Sequence, residues 1–213
     1  LKAAKNSGIP ESVFQILHLD HSSTSKIISD HRINHVLFTG SVSGGREVKK
    51  AIGTRFIGAG LELGGKDPAY VRSDCNFEHA VENLVDGSYF NSGQSCCGIE
   101  RIYVDESIFD NFVEAFKKQT EKYNLDNPLD ESTNLGPVVK LSAANNIRNQ
   151  VLKAINEGAK NIIDGSKFKK DSSDNCYVSP SALINVSHDM EFMMEETFGP
   201  TVGIMKVKNE KDA

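Results

Sequence analysis

The apolar run Val36-Leu37-Phe38-Thr39 passes without a spacer into Gly40-Ser41-Val42-Ser43-Gly44-Gly45, and Arg46 to Ile52 then reads as a helix. A strand delivered through a glycine turn into a helix commits a chain to α/β layering, because the strand needs sheet neighbours and the helix must cover a sheet face. The flanking segments keep that rhythm. Phe14 to Leu19 is an apolar strand candidate, and Ser22 to Asp30 is a short helix with Ile27 and Ile28 inward. Phe56 to Leu63 is a further apolar segment that carries Gly58 and Gly60. A parallel sheet is the expected result.

From Asp67 the pattern restarts. Tyr70-Val71 ends a strand, and Asp74 or Asn76 can cap a helix with Phe77, Val81, Leu84 and Val85 on one face. Ile99 to Val104 alternates like a strand, and Asp105 is the expected cap of a helix striped by Ile108, Phe109, Phe112, Val113 and Phe116. Beyond Gly136-Pro137 a helix with Ile147, Val151, Leu152 and Ile155 inward closes at Gly158. Ser166 to Cys176 reads as loop, and Pro180 to Val186 and Pro200 to Val207 as late strands. The restart sets a boundary near Leu63 to Lys66, giving two α/β units, 1–62 and 63–213.

The balance of 24 basic and 29 acidic residues, with a sequence pI near 5.7, argues against nucleic acid as a partner. No apolar stretch is long enough to span a bilayer. Cys75, Cys96, Cys97 and Cys176 show neither CxxC pairing nor histidines at zinc-site spacing, so no metal site is expected. Free thiols fit an intracellular, reducing compartment such as cytoplasm or an organelle matrix. The chain opens at Leu1 rather than Met and closes just past a strand-like run, which we read as a piece of a longer protein.

Three runs can carry chemistry. The turn holding Gly40 and Gly45 would expose backbone N–H groups at a helix N-terminus, an arrangement suited to phosphate. It lacks the Lys-Ser/Thr of a P-loop and is not G-x-G-x-x-G, so taken alone it reads better as an ordinary strand-to-helix turn. Cys96 sits among Ser92, Gly93, Gln94, Ser95 and Gly98, which is turn composition, so its thiol is expected on a loop. A thiolate there could attack a carbonyl carbon, its own N–H stabilising the oxyanion, while Cys97 would be the buried structural neighbour. Glu62, among Gly58, Gly60, Leu61, Leu63 and Gly64, should be either paired with a cation such as Lys66 or poorly solvated. Poor solvation would raise its pKa and make it a competent base.

Taken together, these runs resemble the aldehyde dehydrogenase superfamily. Phe38-Thr39-Gly40-Ser41 with Gly45 resembles its coenzyme-phosphate turn, Glu62-Leu63-Gly64-Gly65-Lys66 its glutamate signature, and Gly93-Gln94-Ser95-Cys96 its cysteine signature. Glu195-Glu196-Thr197-Phe198-Gly199-Pro200 is similar to the segment that holds the nicotinamide ribose, and Leu135-Gly136-Pro137-Val138 also matches. The resemblance implies a Rossmann-like coenzyme domain, of which residues 1–62 are the later part, followed by a cysteine-bearing catalytic domain over 63–213. It implies Cys96 as nucleophile and Glu62 as general base, with Gly40, Ser41, Gly45, Leu63, Glu196 and Phe198 contacting NAD or NADP. An aldehyde would be oxidised to a carboxylic acid through a thiohemiacetal and a thioester, in a homo-oligomer (dimer or tetramer). Ala143 and Asn146 depart from the polar coenzyme-contacting residues of many relatives. A CoA-acylating relative and a catalytically silent binding or scaffold protein stay open as alternatives; a thiol hydrolase is disfavoured by the lack of a histidine partner for Cys96. Residues 1–213 alone are expected to bind coenzyme weakly and turn over nothing.

Overall fold

The computed structural model describes residues 1–213. It divides into two compact units, Leu1–Leu63 and Gly64–Ala213.

The first unit contains α1 (Lys2–Asn6), α2 (His21–Ser29), β1 (His35–Thr39), α3 (Val42–Ile52) and β2 (Gly58–Glu62). β1 and β2 pair in parallel, with Val36 opposite Ala59 and Thr39 opposite Glu62. Asp20 caps α2 by accepting from the Ser23 N–H at 2.7 Å. The helices are tied together by the Ser29 hydroxyl donating to the Ala51 carbonyl at 2.9 Å and by Arg55 donating to the Ile28 carbonyl at 2.7 Å.

Three expectations change here. Phe14 to Leu19 forms no strand, and β1 and β2 pair only with each other. Ile27 is exposed and Ile28 half-buried, so only one of the two adjacent residues, about 100° apart around the helix, faces inward. The third helix starts at Val42 rather than Arg46, so Gly44 and Gly45 are helical. The Ser41 hydroxyl accepts from the Gly44 N–H at 3.1 Å and starts the helix early.

The second unit is a five-stranded sheet of order β3-β4-β7-β6-β5. Its strands are β3 (Asp67–Val71), β4 (Ile99–Asp105), β5 (Lys160–Asn161), β6 (Ser181–Ile184) and β7 (Thr201–Val207). The first four in spatial order run parallel, and β5 is antiparallel to β6. Central strands buried on both faces read as continuous apolar runs, as Ile102-Tyr103-Val104 and Val202 to Ile204 do. The helices are α4 (Phe77–Tyr89), α5 (Phe109–Thr120), α6 (Leu141–Asn156) and α7 (Glu191–Met194). Val81 and Val85 of α4 pack with Phe112 and Phe116 of α5, and the Phe77 and Phe112 rings meet edge to face at 6.4 Å.

Asn76 caps α4, but Asp105 does not cap α5. Its carboxylate accepts from the Ser107 N–H (3.0 Å) and hydroxyl (2.6 Å), closing a local turn that delays the helix to Phe109. In α6 the buried stripe is Ala144, Ile147 and Ala154, while Leu152 and Ile155 are exposed. Ala143 and Val151 flank that stripe, half-buried and packed against the neighbouring core residues.

Candidate active site

The loop bearing the cysteines is built by an unusual backbone. α4 runs into a short 3-10 turn, Phe90–Gly93, in which Asn91, Ser92 and Gly93 take left-handed φ values of 51°, 56° and 72°. Such conformations cost non-glycine residues stability and persist where neighbours over-determine them. Here the Asn91 amide donates to the Gln94 carbonyl and the Gln94 amide to the Asn91 carbonyl, both at 3.1 Å. The Ser92 hydroxyl donates to the Gly136 carbonyl at 2.8 Å, and the Gln94 side chain accepts from the Val139 N–H at 2.8 Å. A Cβ on Gly93 would fall 2.0 Å from the Gly199 carbonyl oxygen, so only glycine fits.

That clasp presents the turn Ser95–Gly98, closed by the Gly98 N–H on the Ser95 carbonyl at 3.1 Å. Cys96 occupies the corner of this turn and is exposed, as its flanks predicted. Cys97 is exposed too, contrary to the expected burial. The two central residues of a tight turn both project from the chain, and the Cys97 sulfur lies 3.3 Å from the Ser95 hydroxyl rather than in a core.

Behind the turn lie segments that the sequence separates widely. Gly65 lies against Cys96: a Cβ there would come within 3.0 Å of the Cys96 carbonyl oxygen. Gly64 lies against the Glu196 carboxylate, which a Cβ would overlap at 2.0 Å. Glu196 is half-buried and accepts from the Gly65 N–H at 3.2 Å through one oxygen; the other receives no hydrogen bond from the protein. Burial holds its carboxyl above the ordinary glutamate range, while the Gly65 N–H favours the ionised form. Phe198 follows with a left-handed φ of 53° and an exposed ring. Residues 64–66, 93–98, 136–139 and 196–199 thus converge at one end of the parallel sheet.

The role expected of Lys66 falls to a different partner. Its ammonium donates to Glu100 at 2.5 Å, the two side chains being 7% and 5% exposed. Burial pulls the Lys66 ammonium down from its ordinary value, and the Glu100 charge resists that. Sequence reasoning missed Glu100, although a signal was present. On β4 it alternates in phase with Ile102 and Val104, and a charge in a core-facing position needs a buried partner.

In the first unit, the Gly40 N–H donates to the Glu62 carbonyl at 3.0 Å, so the turn is fastened to the end of β2. Gly40 and Gly44 admit the Phe38 ring, which a Cβ would meet at 2.7 and 2.6 Å; Gly45 admits the Leu63 side chain, met at 2.7 Å. Close packing therefore explains these glycines. With Gly44 capped by Ser41, the Val42 and Ser43 N–H groups of the first turn remain open to an acceptor. Glu62 is exposed and makes no ion pair, so neither expected environment, pairing or poor solvation, is found. Its side chain ends β2 at the rim, where the strand pattern turns outward. Replacing Ser41 by alanine should cost about 1 kcal/mol locally. Amide exchange at Gly44 would then quicken about fivefold; unchanged exchange would refute the cap.

No helix is long and apolar enough to cross a membrane. A model of the aldehyde dehydrogenase family matches residues 1–213. The succinate semialdehyde dehydrogenase [NAD(P)+] of Escherichia coli (strain K12) is 34% identical over 98% of this chain, which covers 45% of that relative. Betaine aldehyde dehydrogenase from Staphylococcus aureus, solved with NAD+, superposes with a TM-score of 0.90 at 29% identity, covering 99% of this chain and 42% of its own. Glyceraldehyde-3-phosphate dehydrogenase from Methanocaldococcus jannaschii, complexed with NADP, gives 0.89 at 33% identity, covering 99% and 44%. The chain thus spans less than half the length of the relatives it matches. Because the family model matches this chain from its first residue to its last, the chain belongs to the aldehyde dehydrogenase family.

Proposed function

We propose that the protein bearing this chain oxidises an aldehyde to a carboxylic acid with NAD or NADP, using Cys96 as nucleophile and Glu62 as general base. The observation that carries the reading is the convergence of Gly64 on Glu196 and of Gly65 on Cys96 behind an exposed thiol. Residues 1–62 are the later part of the coenzyme domain, and 63–213 most of the catalytic domain. The protein works as a homo-oligomer in a reducing compartment, which suits its four free cysteines.

The residues present fit a nicotinamide coenzyme. Glu196 keeps one carboxylate oxygen open to a ribose hydroxyl, and Phe198 keeps an exposed ring for the nicotinamide. The Gly40, Ser41 and Gly45 turn would offer its first-turn N–H groups to the pyrophosphate, and the backbone of Leu63 would hold the nicotinamide amide. When bound, the coenzyme supplies the hydride acceptor.

The chain's own residues do the rest. The Cys96 sulfur adds to the aldehyde carbon, forming a C–S bond and a tetrahedral thiohemiacetal whose oxyanion the Cys96 N–H can receive. The oxyanion's electron pair expels the hydride, leaving a thioester on Cys96. Glu62 takes a proton from water, the hydroxide attacks the thioester, and the C–S bond breaks to release the acid and the thiolate.

A CoA-acylating reaction is the competing outcome, and Glu62 argues against it, since transfer to a thiol needs no water-activating base. Product analysis decides. Aldehyde with NAD or NADP should yield free carboxylic acid and reduced coenzyme in equal amounts without CoA. Acyl-CoA as the sole product once CoA is added, with no acid formed in its absence, or no reduced coenzyme with any of a panel of aldehydes, would contradict the reading.

A further inference from the structure

Glu100 is a buried charge that the proposed reaction leaves without a task. One carboxylate oxygen accepts from Lys66 (2.5 Å) and the Thr197 N–H (2.9 Å); the other accepts from the Phe198 N–H (2.9 Å) and, more weakly, from Thr197 (3.2 Å). The Lys66 ammonium also donates to the Thr197 hydroxyl at 3.2 Å, which in turn donates to Gln150 at 2.7 Å. A buried ion pair is weak evidence for stability, because desolvating both charges offsets their attraction. What this pair does specifically is grip two consecutive amides immediately after Glu196.

That grip falls where the backbone is least able to hold itself. Phe198 is left-handed, a conformation non-glycine residues keep only under outside constraint. On the other side, Gly199 is wedged: a Cβ there would come 2.4 Å from Ile147, and its carbonyl abuts Gly93. Between these supports, Glu196 and Phe198 have fixed starting points for their side chains.

We infer that Glu100, paired with Lys66, is a positioning residue that sets Glu196 and Phe198 for the coenzyme. The inference rests on the coenzyme reading of those two residues. Its reach is the KM for coenzyme, not the reactivity of the thiol, because no bond runs from Glu100 to Cys96.

The test is Glu100→Gln in the protein bearing this chain, which keeps the volume but removes the charge and one acceptor oxygen. The KM for coenzyme should rise about tenfold, as expected when a charge-assisted hydrogen bond to a positioned segment is lost. Aldehyde KM and the alkylation rate of Cys96 by iodoacetamide without coenzyme should stay within about twofold, because neither depends on residues 197–198. The Thr197 and Phe198 amides should exchange at least about tenfold faster, while the β4 and β7 ladder amides hold. A folded variant with unchanged coenzyme KM and unchanged exchange at both amides would overturn the inference. Should Glu100→Gln fail to fold, the Lys66→Met/Glu100→Gln double variant, which strands no buried charge, carries the same comparison. Glu196→Gln in parallel separates the two layers. If it leaves coenzyme KM and kcat unmoved, the coenzyme reading falls and the positioning role falls with it. If it raises KM while Glu100→Gln does not, the positioning role alone falls.

Discussion

In the protein bearing this chain, replacing Cys96 by alanine is expected to lower kcat for the proposed aldehyde oxidation by at least about ten-thousandfold, because the covalent route disappears with the sulfur. A free aldehyde carbon has no adjacent oxyanion to expel hydride, and nothing else on the loop replaces the nucleophile. The Cys97 sulfur leans toward the Ser95 hydroxyl, one residue further along the turn. The loss should be one of chemistry and not of folding. Cys96 is exposed, so truncating it opens no cavity, and unfolding stability should stay within about 0.5 kcal/mol. The paired control is Cys97→Ala, equally exposed, which should leave kcat within about twofold. Both variants losing activity together would point to a disturbed loop. Turnover surviving in Cys96→Ala would remove the nucleophile from the account.

Replacing Glu62 by glutamine should slow turnover by about a hundred- to a thousandfold, the range for loss of a general base. The defect should lie wholly in deacylation. Reduced coenzyme then appears as a burst close to one equivalent of sites, followed by a slow phase, since thioester forms but is not hydrolysed. Hydroxylamine, which attacks thioesters without a base, should restore turnover. Because Glu62 is exposed and makes no ion pair, the isosteric amide leaves no buried group unpaired, so a folding defect is not expected. A variant without a burst, slowed equally before and after hydride loss, would assign Glu62 a different task.

The sequence made the α/β alternation legible wherever a strand found a partner. Val36 to Thr39, Ile99 to Val104 and the run after Pro200 all pair in parallel; the first is legible as an apolar run, the second by its alternation and the third as a late strand. Phe14 to Leu19 was equally apolar and formed nothing, because pairing is a property of neighbours that composition does not carry. Cap chemistry read well at Asn76, where the side chain accepts from His79 N–H, and poorly at Asp105, where a nearer serine took the carboxylate. At the site, the exposed thiol followed from the turn composition around Cys96. Burial of Cys97 did not follow, since adjacency on a turn corner exposes both residues. Nor does the solvation of Glu62, which is exposed, follow from its apolar neighbours. Side chains alternate across a strand, and at its end Glu62 faces outward while Leu61 does not. The Lys66–Glu100 pair was hidden for a related reason: Glu62 and Lys66 share one short run of sequence, but the parallel pairing of β3 with β4 sets Ile99 opposite Asp67 and so brings Glu100 beside Lys66.

The most direct measurement of the central claim is a peptide map of the Glu62→Gln protein, quenched in acid during turnover with aldehyde and coenzyme. The account predicts one acyl group per chain, bound as a thioester on the peptide containing Cys96, located on that sulfur by fragmentation and released by hydroxylamine. An acyl group on Cys97, or an unmodified peptide while reduced coenzyme accumulates, would contradict it.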